Sequence, residues 1–104
     1  MNSTKTTWGL EIVWADTEWY SSRVLKIDDG EKTPYLYHKK QDITIFVSQG
    51  SVQLVVEGRI KMLGPGDTYH ISPKIMYQLV ALKGDVLLIE AGSKLEDDVV
   101  IVKQ

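Results

Sequence analysis

The sequence predicts an all-β protein folded as a sandwich or barrel, and three observations carry that prediction. Turn signals recur every 8 to 12 residues or so, as they do in such folds. The apolar runs between them are short and alternate with polar residues. No window holds a helical period for longer than about two turns, short of the three turns of an average globular helix.

The elements follow in order. MNSTKTT is a polar lead-in, residues 1–7, expected to be flexible, and the single domain is expected to span residues 8–104. Trp8 to Trp14 and Trp19 to Ile27 are the first strand candidates, closed by the turn Asp28-Asp29-Gly30. Pro34 to His38, Ile43 to Ser48 and Val52 to Glu57 come next, the last two separated by Gln49-Gly50. Ile60 to Leu63 and Thr68 to Ile71 flank Gly64-Pro65-Gly66-Asp67, whose glycines and proline supply the backbone angles a tight turn requires. Met76 to Leu82, Val86 to Glu90 and Val99 to Val102 complete the set.

Because successive strand side chains point to opposite faces, Ile43, Ile45 and Val47 are expected on one inward face and Val52, Leu54 and Val56 on another. Val86-Leu87-Leu88-Ile89 is apolar on both sides and is expected to be covered on both. No linker or internal repeat interrupts the pattern.

Composition narrows the function. A chain of 104 residues has room for one domain, and 43% hydrophobic with 25% charged residues is ordinary globular composition, neither disordered nor membrane-spanning. The net charge of -2 offers no basic excess for nucleic-acid phosphates. With no cysteine, disulfides and thiolate chemistry are excluded. The polar opening has no apolar core of a secretory signal, so a cytoplasmic location is expected.

Four stretches, "WGLEIVWADTEWYSSRVLKIDDGEKTPYLYHKK", "VSQGSVQLVVEG", "LGPGDTYHISP" and "KLEDDVVIV", resemble the cupins in order and spacing. The resemblance runs from Trp8 to about Val102 and is nearest to the mannose-6-phosphate isomerase-like group. It implies a double-stranded β-helix, or jelly-roll, barrel.

It also implies a site. The cupin pattern sets two histidines one residue apart, then a glutamate, then a glycine seven positions beyond, with a third histidine after the later Gly-Asp turn. Those four side chains hold a divalent metal such as Zn, Mn, Fe or Ni. Anchored on Gly50, the positions fall on His38, Lys40 and Ile43; laying HISPKIMYQL over the family's second motif puts the last on Tyr77. Asp42 is one residue out of register with the glutamate, and a one-residue slip turns a strand side chain to the other face.

An ammonium repels a metal, isoleucine cannot coordinate one, and a phenol would first have to ionise near pH 10 or so. No metal is therefore expected, and His38, Lys40 and Tyr77 are expected to bind a small molecule, Lys40 suiting an anionic group. His38 and Tyr77 are the catalytic candidates, as base and acid, since some cupins that epimerise nucleotide-linked sugars use such a pair without metal. A sugar or sugar phosphate is the expected ligand. The alternatives are a metal-dependent sugar-phosphate isomerase of the mannose-6-phosphate type and a non-catalytic dimeric cupin.

The plainer readings stand beside these. His38 can be a strand-end histidine, Tyr77 a packed barrel aromatic, and Lys39 to Asp42 a solvated turn. His70 is expected to face away from Ile71 and the core, toward the surface. Glu96-Asp97-Asp98 reads as an exposed acidic run. Trp8, Trp14 and Trp19 suggest an interface more than a sugar-stacking platform, and a homodimer is expected.

Overall fold

The β-branched and aromatic runs between the glycine turns all become strands. The described residues, 2–103 of this computed structural model, contain eleven strands and no helix. These are β1 (Asn2–Lys5), β2 (Gly9–Asp16), β3 (Tyr20–Ile27), β4 (Tyr35–His38), β5 (Ile43–Gln49), β6 (Val52–Val56), β7 (Arg59–Leu63), β8 (Thr68–Ile71), β9 (Tyr77–Val80), β10 (Val86–Ser93) and β11 (Val99–Lys103).

They form two antiparallel sheets, ordered β1-β2-β3-β10-β5-β8 and β11-β4-β9-β6-β7. From β3 onward the chain passes from one sheet to the other at every connection except the β6–β7 hairpin. That repeated crossing makes the two sheets one closed unit with a shared interior.

The interior follows the alternation. Ile43, Ile45 and Val47 are buried and Thr44, Phe46 and Ser48 exposed along β5, while Val52 and Leu54 of β6 and Tyr77 and Leu79 of β9 face them from the other sheet. Leu25, Ile27, Val86 and Leu88 complete this layer.

Three expectations need correcting. The polar lead-in is not loose over its whole length: residues 2–5 form β1, paired with β2 from Asn2↔Val13 to Lys5↔Leu10. An edge strand of this kind is held by its backbone hydrogen bonds and needs no apolar side chain, so composition alone did not reveal it.

The second concerns β10, which continues beyond Glu90 to Ser93. Its Gly92 lies so close to β5 that a Cβ there would stand 2.0 Å from the Asp42 carbonyl oxygen. Third, β10 is covered on one face only: Val86 and Leu88 are fully buried, whereas Leu87 and Ile89 on the outer face are half-buried.

Candidate functional site

Strand parity brings three charged side chains into an otherwise apolar interior. On β3, Arg23 shares its face with the core residues Leu25 and Ile27, and on β10, Glu90 shares its face with Val86 and Leu88. The register sets Arg23 directly opposite Glu90 and Leu25 opposite Glu11 of β2, so the charges gather at one end of the sandwich. Arg23 Nη2 lies 3.2 Å from Glu90 Oε1, and Nη1 lies 3.6 Å from Glu11 Oε1.

The smaller sheet contributes His38 and Tyr77. His38 ends β4, two residues after Leu36, and Leu36 is the register partner of Tyr77 on β9. Both polar side chains are buried, with ring centroids 6.2 Å apart and planes inclined by 24°. The Tyr77 hydroxyl lies 3.1 Å from Glu90 Oε2, to which it can donate, and 3.2 Å from His38 Nε2.

Asp98 closes the chain of contacts. Its Oδ1 is 3.3 Å from His38 Nδ1, and because a carboxylate only accepts, Nδ1 is the nitrogen that carries the proton. Its Oδ2 accepts the backbone N–H groups of Lys40 and Gln41 at 2.7 and 2.8 Å. The bend after β4 is thereby tied to the loop before β11. The Gln41 side chain turns inward as well: its Oε1 accepts from Arg23 at 3.2 Å, and its Nε2 donates to Ser21 Oγ at 2.8 Å and to the Ser93 carbonyl at 3.1 Å.

Electrostatics hold these groups in defined states. Burial, reinforced by the Glu90 charge, pushes the Tyr77 phenol well above its ordinary range, and Arg23 only partly offsets this. Tyr77 is therefore a neutral hydroxyl at every physiological pH. Burial works against the charge on Arg23, yet Glu90 first, and Tyr77 and Glu11 after it, raise its pKa overall. Burial would raise Asp98, but the N–H groups of Lys40 and Gln41 and then His38 outweigh it and lower the carboxyl below its usual range.

Glu11, Arg23, Glu90, Tyr77 and His38 line a cavity of about 240 Å³ whose remaining walls include Trp8, Leu25, Leu36, Leu79 and Val99, while Asp98 and Gln41 stand behind this lining. One wall is thus a polar relay and the other is apolar. Among the described residues, no group of three or more His, Cys, Asp or Glu side chains is placed to hold a metal ion.

Of the residues singled out in the sequence, His38 and Tyr77 converge. Lys40 does not join them: it is exposed in the bend after β4, it is absent from the cavity lining, and it meets the site only through its backbone N–H. Ile43 is a core residue. Asp42 is exposed and contacts His70 Nε2, and His70 faces outward as its parity with Ile71 predicts.

Several residues of the site escaped sequence reasoning. Asp98 and Gln41 were assigned to exposed runs, and both are buried; Trp8, read as an interface residue, lines the cavity. Arg23 and Glu90 carried a usable signal. In YSSRVLKI and VLLIEAG each occupies the same alternating face as the core aliphatics, and a charge at such a position points inward. Gln41 and Asp98 carried none, because their burial depends on a contact between segments nearly 60 residues apart.

No family profile and no curated protein matches this chain. Solved structures do. KdgF from a Halomonas species superposes with a TM-score of 0.84 at 26% identity, over 93% of this chain and 89% of that one. An RmlC-like cupin from Shewanella frigidimarina gives 0.81 at 18% identity, over 92% and 86%. A conserved protein with a double-stranded β-helix domain from Klebsiella pneumoniae gives 0.81 at 12%, over 99% and 86%. With two antiparallel sheets exchanged at almost every connection and these structural neighbours, the chain has the all-β double-stranded β-helix fold of the cupins.

Proposed function

We propose that this chain binds a small, uncharged, hydroxylated molecule of sugar-like character inside its barrel, without a bound metal. The observation that carries the reading is the amphipathic cavity. The row Glu11–Arg23–Glu90–Tyr77–His38, backed by Asp98, faces an apolar wall that includes Trp8, and a pyranose-like ring has both hydroxyl edges and an apolar face to match. At about 240 Å³ the cavity is just below the roughly 300–1,000 Å³ of ordinary ligand sites, which limits it to one small ring.

The charge balance argues for an uncharged ligand over a phosphorylated one. Arg23 is the one Lys or Arg among the described lining residues, and two carboxylates already flank it. Lys40, which would have met an anion, stands outside.

The donor set argues against a divalent metal, and with it against a metal-dependent isomerase of the mannose-6-phosphate type. His38 Nδ1 is engaged by Asp98, the Tyr77 phenol beside Nε2 is held in its neutral form, and a guanidinium lies within the same network. Each of these opposes binding of a cation.

Proton transfer is a second reading, favoured by the Asp98–His38–Tyr77 contact. Asp98 fixes the tautomer that leaves Nε2 as the accepting nitrogen, and the neutral Tyr77 hydroxyl is a proton donor. The two side chains touch and so act on the same side of a bound molecule, which suits a local proton shuttle better than a base and an acid on opposite ring faces.

The test is a thermal-shift series with neutral monosaccharides, their phosphates and nucleotide sugars, together with elemental analysis of untagged protein. A neutral sugar at 100 times its Kd should add about 2.7 kcal/mol to stability. A response confined to phosphorylated sugars, or a stoichiometric transition metal, would overturn the reading. For any turnover found, His38→Ala and Tyr77→Phe should each abolish it.

The proposal extends to a homodimer. Trp14, Trp19 and Tyr20, around the β2–β3 turn, are 54%, 80% and 55% exposed. The register also aligns Ile12, Val24, Ile89 and Phe46 in one row across the outer face of the larger sheet. An apolar row beside exposed aromatics is the composition of an interface core. Light scattering at micromolar concentration tests it, a monomer being the contrary result.

A further inference from the structure

A second cavity of about 460 Å³ opens at the other side of the sandwich, between edge strands β7 and β8. Its floor is apolar: Val56, Tyr69 and Ile75 are packed against the core. Its cations are Arg59 and Lys61, whose direction the register settles. Arg59 pairs with Val56, Lys61 with Leu54 and Leu63 with Val52, and directly paired residues project from the same face of a sheet. Leu54, Val52 and Leu63 are buried, so Arg59 and Lys61 continue the inward face of β7 at the point where the core ends.

Both side chains line the cavity and stay exposed, so their charged heads remain in water at its edge. Lys61 Nζ lies 6.0 Å from the centroid of the Tyr69 ring. Among the described residues, no carboxylate lies within 4 Å of either cationic head, although Glu57 shares the lining, as does His70, which contacts Asp42.

We propose that this groove is a second binding site, for a hydrophobic carboxylate: a flat apolar body seated on Tyr69, Val56 and Ile75, with its carboxylate held by Arg59 and Lys61. The two cations are two residues apart on one strand face, roughly 6.6 Å, a spacing that lets one carboxylate meet both. The guanidinium offers the planar fork that matches a carboxylate. The volume lies inside the roughly 300–1,000 Å³ of small-molecule sites, and the apolar floor supplies the burial that a bare anion could not use. The site is independent of the barrel cavity and of any ligand bound there.

Inward-pointing charges on an edge strand also have a purely protective use, blocking strand addition by another molecule. The experiment separates the two. The ¹⁵N-labelled protein is titrated with 2-naphthoate and, in parallel, with the uncharged 2-naphthalenemethanol. Naphthoate should shift the amides of residues 56–61 and 69–75, and the alcohol should bind about tenfold more weakly or worse.

The variant Arg59→Gln/Lys61→Gln changes two exposed side chains; it should lose naphthoate binding by a similar factor, while Lys83→Gln, an exposed lysine elsewhere, should not. Shifts centred on Tyr77 and Trp8, equal affinity for acid and alcohol, or a double variant that self-associates with naphthoate affinity unchanged would each overturn the proposal.

Discussion

Arg23→Met removes the cation at the centre of the buried relay. The guanidinium lies 3.2 Å from Glu90 and 3.6 Å from Glu11, and it also donates to Gln41 at 3.2 Å. Without it, Glu90 keeps the Tyr77 hydroxyl at 3.1 Å but is left as a buried carboxylate with no counter-charge. Breaking a buried pair from one side costs about 3–5 kcal/mol.

The surviving Tyr77 bond and the partial exposure of Glu11 place the expected loss near the lower bound, about 3 kcal/mol. For a domain of this size that corresponds to a fall in Tm of roughly 12–24 °C. Urea unfolding followed by tryptophan fluorescence at pH 7 measures the loss directly.

A companion variant fixes its origin. Adding Glu90→Gln to Arg23→Met removes the stranded charge while keeping an acceptor for Tyr77, and should recover roughly 2 kcal/mol. A loss below about 1 kcal/mol at pH 7, or a double variant no better than the single, would show that water reaches the pair and that the burial argument fails.

Three further outcomes are expected. Asp98 has a lowered folded-state pKa, so the stability it contributes is present above the unfolded value of about 3.9 and is lost as the pH falls through the folded one. Asp98→Asn should flatten the acid limb of the stability profile below about pH 4 and cost about 1–3 kcal/mol at neutral pH through the Lys40 and Gln41 amides. Tyr77 shows the opposite sign. With its folded-state pKa raised, stability is lost as the pH climbs above about 10, and Tyr77→Phe should remove that alkaline component in urea titrations. Gly92→Ala would place a methyl group 2.0 Å from the Asp42 carbonyl oxygen, so β10 and β5 must part; chemical denaturation should show a loss of at least about 2 kcal/mol.

The sequence by itself determined the class of fold and most of its strands. Period-two alternation in ITIFVSQ and VQLVV, punctuated by glycine turns, is a local property, and it was enough to assign Ile43, Ile45, Val47, Val52 and Leu54 to the interior. The same local rule placed His70 on the outside, whereas Tyr77 was reached through the cupin resemblance and not through alternation.

Tertiary structure alone decided the site. Lys40 and Gln41 are adjacent in a charged turn, yet the first is exposed and the second buried, because Asp98, immediately before the neighbouring strand β11, caps their amides and Gln41 finds partners in Arg23, Ser21 and Ser93. Arg23 and Glu90 neutralise each other only through the β3–β10 register, a pairing between residues 67 positions apart in the chain. A polar side chain can be buried when its partners arrive, and here every partner comes from a different strand or loop.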